Sequence, residues 1–519
     1  MIDLNRRRFL QVTGLGSVLA GLMPVRLASA DGKPLYLRSR RDIAILDPGW
    51  MIGGTEIDLQ YACLGSLAVF VPGEPLSWRP SAFVESVKIT DDTSIEFKLK
   101  SGIKWSGDFG ELSAEDVKFS YERIADPANK ADWKDKWHVL DHVEVTNKYS
   151  GVIKLKQPFA PIWFTTICDG PGCIVSKAAV EKVGGKYTTE FPAVCGPYRV
   201  AKWEPKQYIA LKANPDWIGP KPAYENIEIR IVEDVKSAEI AFEAKELELT
   251  EISLDSVKRY RNNTANGTKL FEGPGLNWIW MGMNTEHPKL KDIRVRRAIQ
   301  NAVNVDDIIA SAYAGVAERS YGIVCPGLIG HRTTTAFEKP DPEKAKALLA
   351  EAGVSGLTLD LKVLSQTQFT TAAEVIQSNL ADVGITVKIV PLDPGPFWDL
   401  GLESKGTAWK DLQLYIQRFG DSPDPSQMAQ WYVSSQVGVW NWERWKSPEF
   451  DSLYDQSLKE SDQAKRAAMY LRMQEIMEET GAYVWICHEP AEIAYRDTLV
   501  PLILPPDHRY MLDFKPAAA

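Results

Sequence analysis

Asp341-Pro-Glu-Lys-Ala-Lys-Ala-Leu-Leu-Ala-Glu-Ala-Gly353 and the residues after it, to Ile389, decide the fold class. Asp341 is a helix N-cap residue, and Pro342 is preorganised for the first helical position. Ala345, Leu348, Leu349 and Ala352 recur on one helical face, and Gly353 supplies the stop. Leu357, Leu359, Leu361 and Val363 then alternate with polar residues, the period of a strand. Residues 372–383 read as a second helix closed by Gly384, and Ile385, Val387 and Ile389 alternate again. A strand, a crossover helix and a strand imply parallel neighbours, hence an α/β protein with a mixed or parallel sheet covered by helices. Residues 224–232, a strand, and 235–244, a helix, suggest a second such region.

Working outward, Ser113-Ala-Glu-Asp116 resembles a capping box with Asp in place of Glu or Gln, and Val117, Tyr121 and Ile124 follow at helical spacing. Gly273-Pro274-Gly275, Pro326-Gly327 and the proline-bearing run 391–396 read as turns or linkers. There is no repeat, low-complexity tract or heptad run. A chain of 519 residues with 45% hydrophobic and 25% charged residues accommodates two to four ordinary globular domains. Its 17 Trp, 18 Tyr and 17 Phe are mostly core, and a surplus of flat rings also suits a binding cleft.

The first thirty residues carry an address. Asn5-Arg-Arg-Arg-Phe-Leu-Gln11 precedes an apolar stretch through Val12, Leu15, Val18, Leu19 and Leu22, and Ala28-Ser29-Ala30 offers a small-residue cleavage site. Basic region, apolar region and cleavage site are the parts of a secretory signal. Paired arginines followed by Phe9-Leu10 look like a twin-arginine signal. The mature chain is expected to begin near Asp31, free in the periplasm. Residues 1–30 hold four Arg and one Asp, so cleavage takes the formal charge from −9 to −12. Such an acidic chain has no general attraction for nucleic acid or anionic membrane. No later stretch reaches the ~18 apolar residues a membrane span needs. Six cysteines, Cys63, Cys168, Cys173, Cys195, Cys325 and Cys487, remain. An oxidising compartment permits disulfides, and six cysteines allow 15 pairings among which sequence alone does not choose; Cys168 and Cys173 are close enough for a local bridge, and no C-x-x-C pair suggests a zinc or redox site.

Several blocks, in order, resemble the dipeptide-, oligopeptide- and nickel-binding proteins of ABC importers, solute-binding protein family 5. They are Gly102-Ile-Lys-Trp105 through Leu112-Ser-Ala-Glu-Asp-Val-Lys-Phe-Ser-Tyr-Glu-Arg123, then Cys195-Gly-Pro-Tyr198 with Asn214-Pro-Asp-Trp217. Met283-Asn284-Thr285 with Asp292-Ile-Arg-Val-Arg-Arg-Ala-Ile299 follows, then the 341–353 block, then Gly420-Asp421-Ser-Pro-Asp-Pro425 with Ser447-Pro-Glu-Phe-Asp-Ser-Leu453. The resemblance implies a two-lobed periplasmic binding fold (type II, cluster C-like) with an additional small domain. The implied lobe I is 31–64, 190–274 and 494–519; the small domain is 65–189; lobe II is 275–493. It further implies a monomer that captures a small solute by hinge closure and delivers it to a membrane permease and its ATPase, without catalysis or cofactor.

The resemblance also marks candidate ligand residues. In the peptide-binding members, an Asp before the D-P turn pairs with the ligand ammonium; here that is Asp421, while Asp424 reads as a structural turn residue. Arg418 stands where the dipeptide-binding members carry Trp, and a guanidinium there suits a carboxylate or phosphate. The loop 364–371 lacks the Arg those members use and offers Gln366 and Gln368 instead. Trp50, Trp398, Trp440 and Trp442 are candidate ring walls or core; both rings of Trp440-Asn-Trp442 face one side if that segment is extended. These departures leave a peptide, an amino-acid derivative, an opine-like compound or a sugar conjugate as the solute.

An exported hydrolase is the enzyme alternative, but no G-x-S-x-G, H-E-x-x-H or S-x-x-K set with its partners appears. His138 and His142, at i and i+4, form a metal pair only if they share a helix face; surface histidines are the plainer reading. A nickel chelate would need a cleft histidine, for which His488 and His287 are the candidates. No Walker A motif is present. A partner that presents its ligand to a chemoreceptor would share the same cleft.

Overall fold

The computed structural model describes residues 33–73, 75–262, 267–271, 274–420, 423–504 and 508–518. The export signal and its cleavage site near Ala30 lie outside the described residues.

The strand–helix–strand unit forms as its periodicity requires. Asp341 Oδ1 accepts the Lys344 N–H at 2.9 Å and caps the helix Pro342–Glu351. Gly353 (φ 68°) and Gly384 (φ 84°) take the left-handed conformation that lets each chain turn out of its helix. Thr358–Leu364 and Thr386–Leu392 pair in parallel, Leu359 opposite Val387 and Leu361 opposite Ile389. The crossover helix, Thr367–Ala381, starts about a turn earlier than its sequence pattern suggests. Phe369 is buried in line with Ala372, Ala373 and Ile376, and that tertiary packing overrides the weak helix propensity of a Thr/Gln-rich run.

This unit ends a six-stranded sheet ordered Glu318–Arg319, Tyr483–Pro490, Pro274–Met283, Leu414–Gly420, Thr358–Leu364, Thr386–Leu392. The first three pairings are antiparallel and the last two parallel. Alternation splits its central strand. Ile279, Met281 and Met283 join one core with Leu361, Leu414 and Ile416. Trp278 and Trp280 face the other way, into a core shared with a four-stranded antiparallel sheet. That sheet runs Val84–Asp91, Ser94–Leu99, Ser150–Leu155, Leu140–Asn147, and the helix Ala114–Ala125 covers it. The Ser113 N–H donates to Asp116 Oδ2 at 2.9 Å, so Asp completes the capping box.

A second large sheet has seven strands: Thr268–Phe271, Ile493–Arg496, Leu249–Glu251, Leu35–Ser39, Asn226–Ile231, Tyr208–Ala213, Tyr198–Glu204. Leu35–Ser39 lies parallel to both its neighbours, and the helix Val235–Glu243 follows Asn226–Ile231 as the sequence suggests. Buried Arg38 bonds Glu251 at 3.1 Å, and Arg509 reaches the other oxygen of Glu251 at 3.1 Å, fastening the C-terminal segment to the sheet. The chain crosses from this sheet to the six-stranded one between Phe271 and Pro274. It returns between Pro490 and Ile493.

Of two alternatives left by spacing, the plainer reading of the histidines holds and the local cysteine bridge does not form. His142 lies in the strand Leu140–Asn147 and bonds Asp141 at 2.8 Å, while His138 follows a short 3-10 turn before that strand; the two share no helix face. Cys168 and Cys173 flank the 3-10 turn Gly170–Gly172 and pack into the core as free thiols, as do the other four cysteines. Burial raises the pKa of both. Among the described residues, no helix is long and apolar enough to cross a membrane.

Candidate functional site

Three strands of the six-stranded sheet finish in one row. Asn277 stands opposite Gly420 on one side and Glu489 on the other. Both crossings between the large sheets lie beside that row, at 271–274 and 490–493. Strand ends that meet at a change of topology leave a crevice, because no further strand can fill it.

Here the crevice is a cavity of about 200 Å³. Ile252, Val257 and Leu270 come from the seven-stranded side, and Val316, Glu318 and His488 from the other. Its charged lining is three carboxylates, Glu318, Glu489 and Glu492, and one guanidinium, Arg261.

Beside it, the end of Leu414–Gly420 carries an aromatic cluster centred on Phe419. Its ring lies 6.4 Å from Trp398 and nearly parallel to it, 5.9 Å from Trp431 and 5.9 Å from Trp440. All four rings are half-buried. Beneath them Phe419 meets Trp280 at 5.1 Å and Trp278 at 5.8 Å, edge to face. Half-buried rings with rigid backing present flat apolar area at low entropic cost.

Asp421 lies outside the described residues. Three residues further on, Asp424 is buried and accepts the Ser426 N–H at 2.9 Å. Arg466, fully buried, holds Asp424 at 2.9 and 3.1 Å. Alternation puts Arg418 on the face opposite Phe419, where its guanidinium is paired with Glu489 and 41% exposed. Trp398 and Trp440 belong to the cluster. Trp442 is 1% exposed in the sheet core, where its Nε1–H donates to Val439 O at 2.9 Å. The 440–442 segment is a turn, and both rings meet Trp398 at 6.3 Å, Trp440 half-buried and Trp442 from the core side. Trp50 stands apart on the small-sheet side, with the Arg123 guanidinium 5.3 Å from its ring centre and Lys186 at 5.6 Å. Gln366, exposed, caps the crossover helix and accepts from half-buried Gln368 at 3.2 Å.

Sequence reasoning missed Phe419, Trp431, Glu489, Glu318 and Arg466. Phe419 alone had a local signal, since strand alternation sets it apart from Arg418. It also missed Glu443, which is fully buried and accepts the Trp280 Nε1–H at 2.7 Å. Burial pushes the Glu443 carboxyl up to about 7. His488 is 2% exposed, and burial, with His331 nearby, pushes it down to about 3. His287 sits beyond Met283, about 20 Å along the strand from Asn277. Among the described residues, no three His, Cys, Asp or Glu side chains are arranged to hold a metal ion.

Residues 80–440 match the family model described as bacterial extracellular solute-binding proteins, family 5, middle region. The chain belongs to this family. It is 25% identical over 500 residues to the dipeptide-binding protein of Escherichia coli, spanning 89% of this chain and 90% of that one. It is 26% identical over 442 residues to the glutathione-binding protein GsiB of the same organism, 82% and 84% of the two chains. Among solved structures, HbpA2 from Haemophilus parasuis superposes with a TM-score of 0.82 at 21% identity, over 94% of this chain and all of that one. The two-lobed architecture is thus that of family 5 solute-binding proteins. In a family 5 solute-binding protein, a crevice walled from both large sheets is where a solute can be enclosed.

Proposed function

We propose that this chain is the exported, periplasmic binding component of an ABC-type importer. It captures a small solute, a peptide, an amino-acid derivative or an opine-like compound, and presents it to a permease and its ATPase as a monomer. The observation that carries the reading is the cavity at the two chain crossings, walled from both large sheets and flanked by the Phe419 cluster.

The two crossings divide the chain into lobe I (31–64, 190–274, 494–519), the small domain (65–189) and lobe II (275–493). Rotation about the crossings opens and closes the crevice, and a solute that touches both walls only in the closed state shifts the population towards it. The rings of Trp398, Trp431 and Trp440 cover the apolar part of the solute. Asp421 takes an ammonium, and Arg418, released from Glu489, takes an anionic group. The relatives named for a dipeptide and for glutathione support a solute of this size and chemistry. The basic, apolar and Ala-x-Ala segments of residues 5–30 support export, and the paired arginines support the twin-arginine route.

The test is a thermal-shift and tryptophan-fluorescence panel of dipeptides, glutathione and opines, with mass spectrometry of whatever co-purifies. One solute should bind one per chain and stabilise by about 2.7 kcal/mol at a hundredfold excess over its Kd. Turnover of a bound solute, or no response across the panel with an empty cleft by mass spectrometry, would sink the reading. Asp421→Asn should abolish the response to an amine-bearing solute; unchanged affinity removes Asp421 from the site.

A further inference from the structure

The edge of the seven-stranded sheet that faces the crossings carries a run of arginines, Arg38-Ser-Arg40-Arg41. Leu35–Ser39 runs parallel to Leu249–Glu251 with Leu37 opposite Leu249, so Ser39 is level with Glu251. Glu251 in turn stands opposite Ile493, where the chain has just returned from the other large sheet. Arg40 therefore leaves the end of its strand on the seven-stranded side of the crevice.

One carboxylate serves three guanidiniums there. Arg38 bonds Glu251 Oε2 and Arg509 bonds Glu251 Oε1, each at 3.1 Å, and both arginines are buried. Arg40 Nε comes only to 3.5 Å from Oε1, beyond the usual N–H···O distance, and its side chain is 62% exposed. Burial raises the Glu251 carboxyl, but Arg509, Arg40 and Arg38 outweigh burial and hold it below its ordinary range, so it stays ionised. Its single charge is committed to the two guanidiniums that have no water to turn to. The neighbouring carboxylates are engaged as well: Glu56 by Arg41, Asp58 by the Arg509 N–H at 2.9 Å, and Asp234 by the Ser237 N–H and hydroxyl at 2.7 Å. Arg40 keeps a solvent-facing fork that matches a carboxylate.

The same edge adjoins the aromatic cluster. Arg41 donates to the Gly53 carbonyl at 2.6 Å, and the Met51 carbonyl accepts the Trp133 Nε1–H at 2.7 Å. Lys136, in the short turn after Trp133, donates to Gln427 Oε1 at 3.3 Å, and Gln427 lies one helical turn before Trp431. The loop after Arg40 and the Phe419 cluster thus border one opening from opposite sides.

We propose that Arg40 is an anion subsite on the seven-stranded wall and receives a carboxylate of the solute. This rests on the reading of the chain as a solute-binding component. With Arg418 on the opposite wall, it narrows the solute to a peptide or amino-acid derivative with two carboxylates, one for each wall. A solute held by Arg40 on one side and by the rings on the other touches both walls and so favours the closed form.

Ala-Glu and Ala-Gln have nearly the same shape and differ by one carboxylate, and titration calorimetry of the pair tests the subsite. Ala-Glu is expected to bind about tenfold tighter or more. Arg40→Gln should fold as the native chain does, because Glu251 keeps Arg38 and Arg509, and should remove that preference. Arg40→Lys, which retains the charge without the fork, should keep part of it. Equal affinities in the native protein, or a preference that survives Arg40→Gln, overturns the subsite and leaves the importer reading standing. If neither dipeptide binds, the peptide reading fails, and glutarate decides the subsite by thermal melting of the native and Arg40→Gln proteins. Stabilisation of the native chain that Arg40→Gln lacks upholds it; equal shifts, or none, overturn it.

Discussion

Glu443, under the aromatic cluster, and His488, in the hinge-cavity wall, are both buried against the same tryptophan-bearing face. Glu443 accepts from Trp280 Nε1, and His488 stands opposite Trp278 in the adjoining strand. Burial is the largest cause of the shift in both, yet the shifts run in opposite directions, up to about 7 for the carboxyl and down to about 3 for the imidazole. Each group is driven towards its uncharged form, since low-dielectric surroundings penalise whichever form is ionised. The comparison teaches how the cleft divides its work. The face behind it is kept nearly free of unpaired charge, and the full charges near it are paired, Arg418 with Glu489 and buried Asp424 with buried Arg466.

The strongest way to break the aromatic side is through its anchor. Arg466→Met leaves Asp424 buried without its partner and should cost about 3–5 kcal/mol in urea unfolding. A loss below about 1 kcal/mol would show that the fold does not depend on the pair. Next comes the contrast between two neighbouring tryptophans. Trp442→Ala opens a core cavity and should cost about 3–5 kcal/mol, whereas half-buried Trp440→Ala should cost less in stability and show itself mainly as weaker solute binding. Equal stability losses would remove Trp440 from the cleft wall.

The pH profile sharpens the comparison most directly. Glu443 has its folded pKa above the unfolded value of 4.5, so the folded state binds the extra proton. Its contribution is fully present below 4.5 and is lost as pH rises to about 7, an effect of about 3 kcal/mol. Glu443→Gln should flatten that limb. His488 has its folded pKa below its unfolded value of 6.5, so its contribution is present above 6.5 and is lost as pH falls towards 3. His488→Phe should flatten the acid limb alone. Urea midpoints at intervals from pH 4 to 8 separate the two. The smallest effect is expected at the rim. Arg418→Gln removes a pair that is 41% exposed on the arginine side, and should change stability by less than about 1 kcal/mol while altering affinity for anionic solutes.

Much of the architecture was readable from local pattern. The 341–389 unit has a clean change of period from 3.6 to 2, and capping at Asp341 and Ser113 appears where short-range hydrogen bonding demands it. The crossover helix was read short because Phe369 is recruited by packing, which no neighbour in the chain announces. At the site, Arg418 was visible as a charge near the end of a strand. Its partner Glu489 was not, because the two are brought together by sheet pairing across Pro274–Met283. The i, i+4 spacing of His138 and His142 carries no metal pair, as the plainer reading had it: spacing implies a shared face only after the backbone is known to be helical.

The sequence by itself determined the α/β class, the cap and stop of each element in the 341–389 unit, the ordered family blocks and the acidic character of the chain. These depend on periodicity, capping and composition, which act over a few residues or over the whole chain. Only the tertiary structure decided that Phe419 gathers Trp398, Trp431 and Trp440, that Trp442 turns into the core, and that Arg418 meets Glu489 across the central strand. Those groups come from segments far apart in sequence, and strand register and burial, which are properties of the folded sheets, set their partners and their charge.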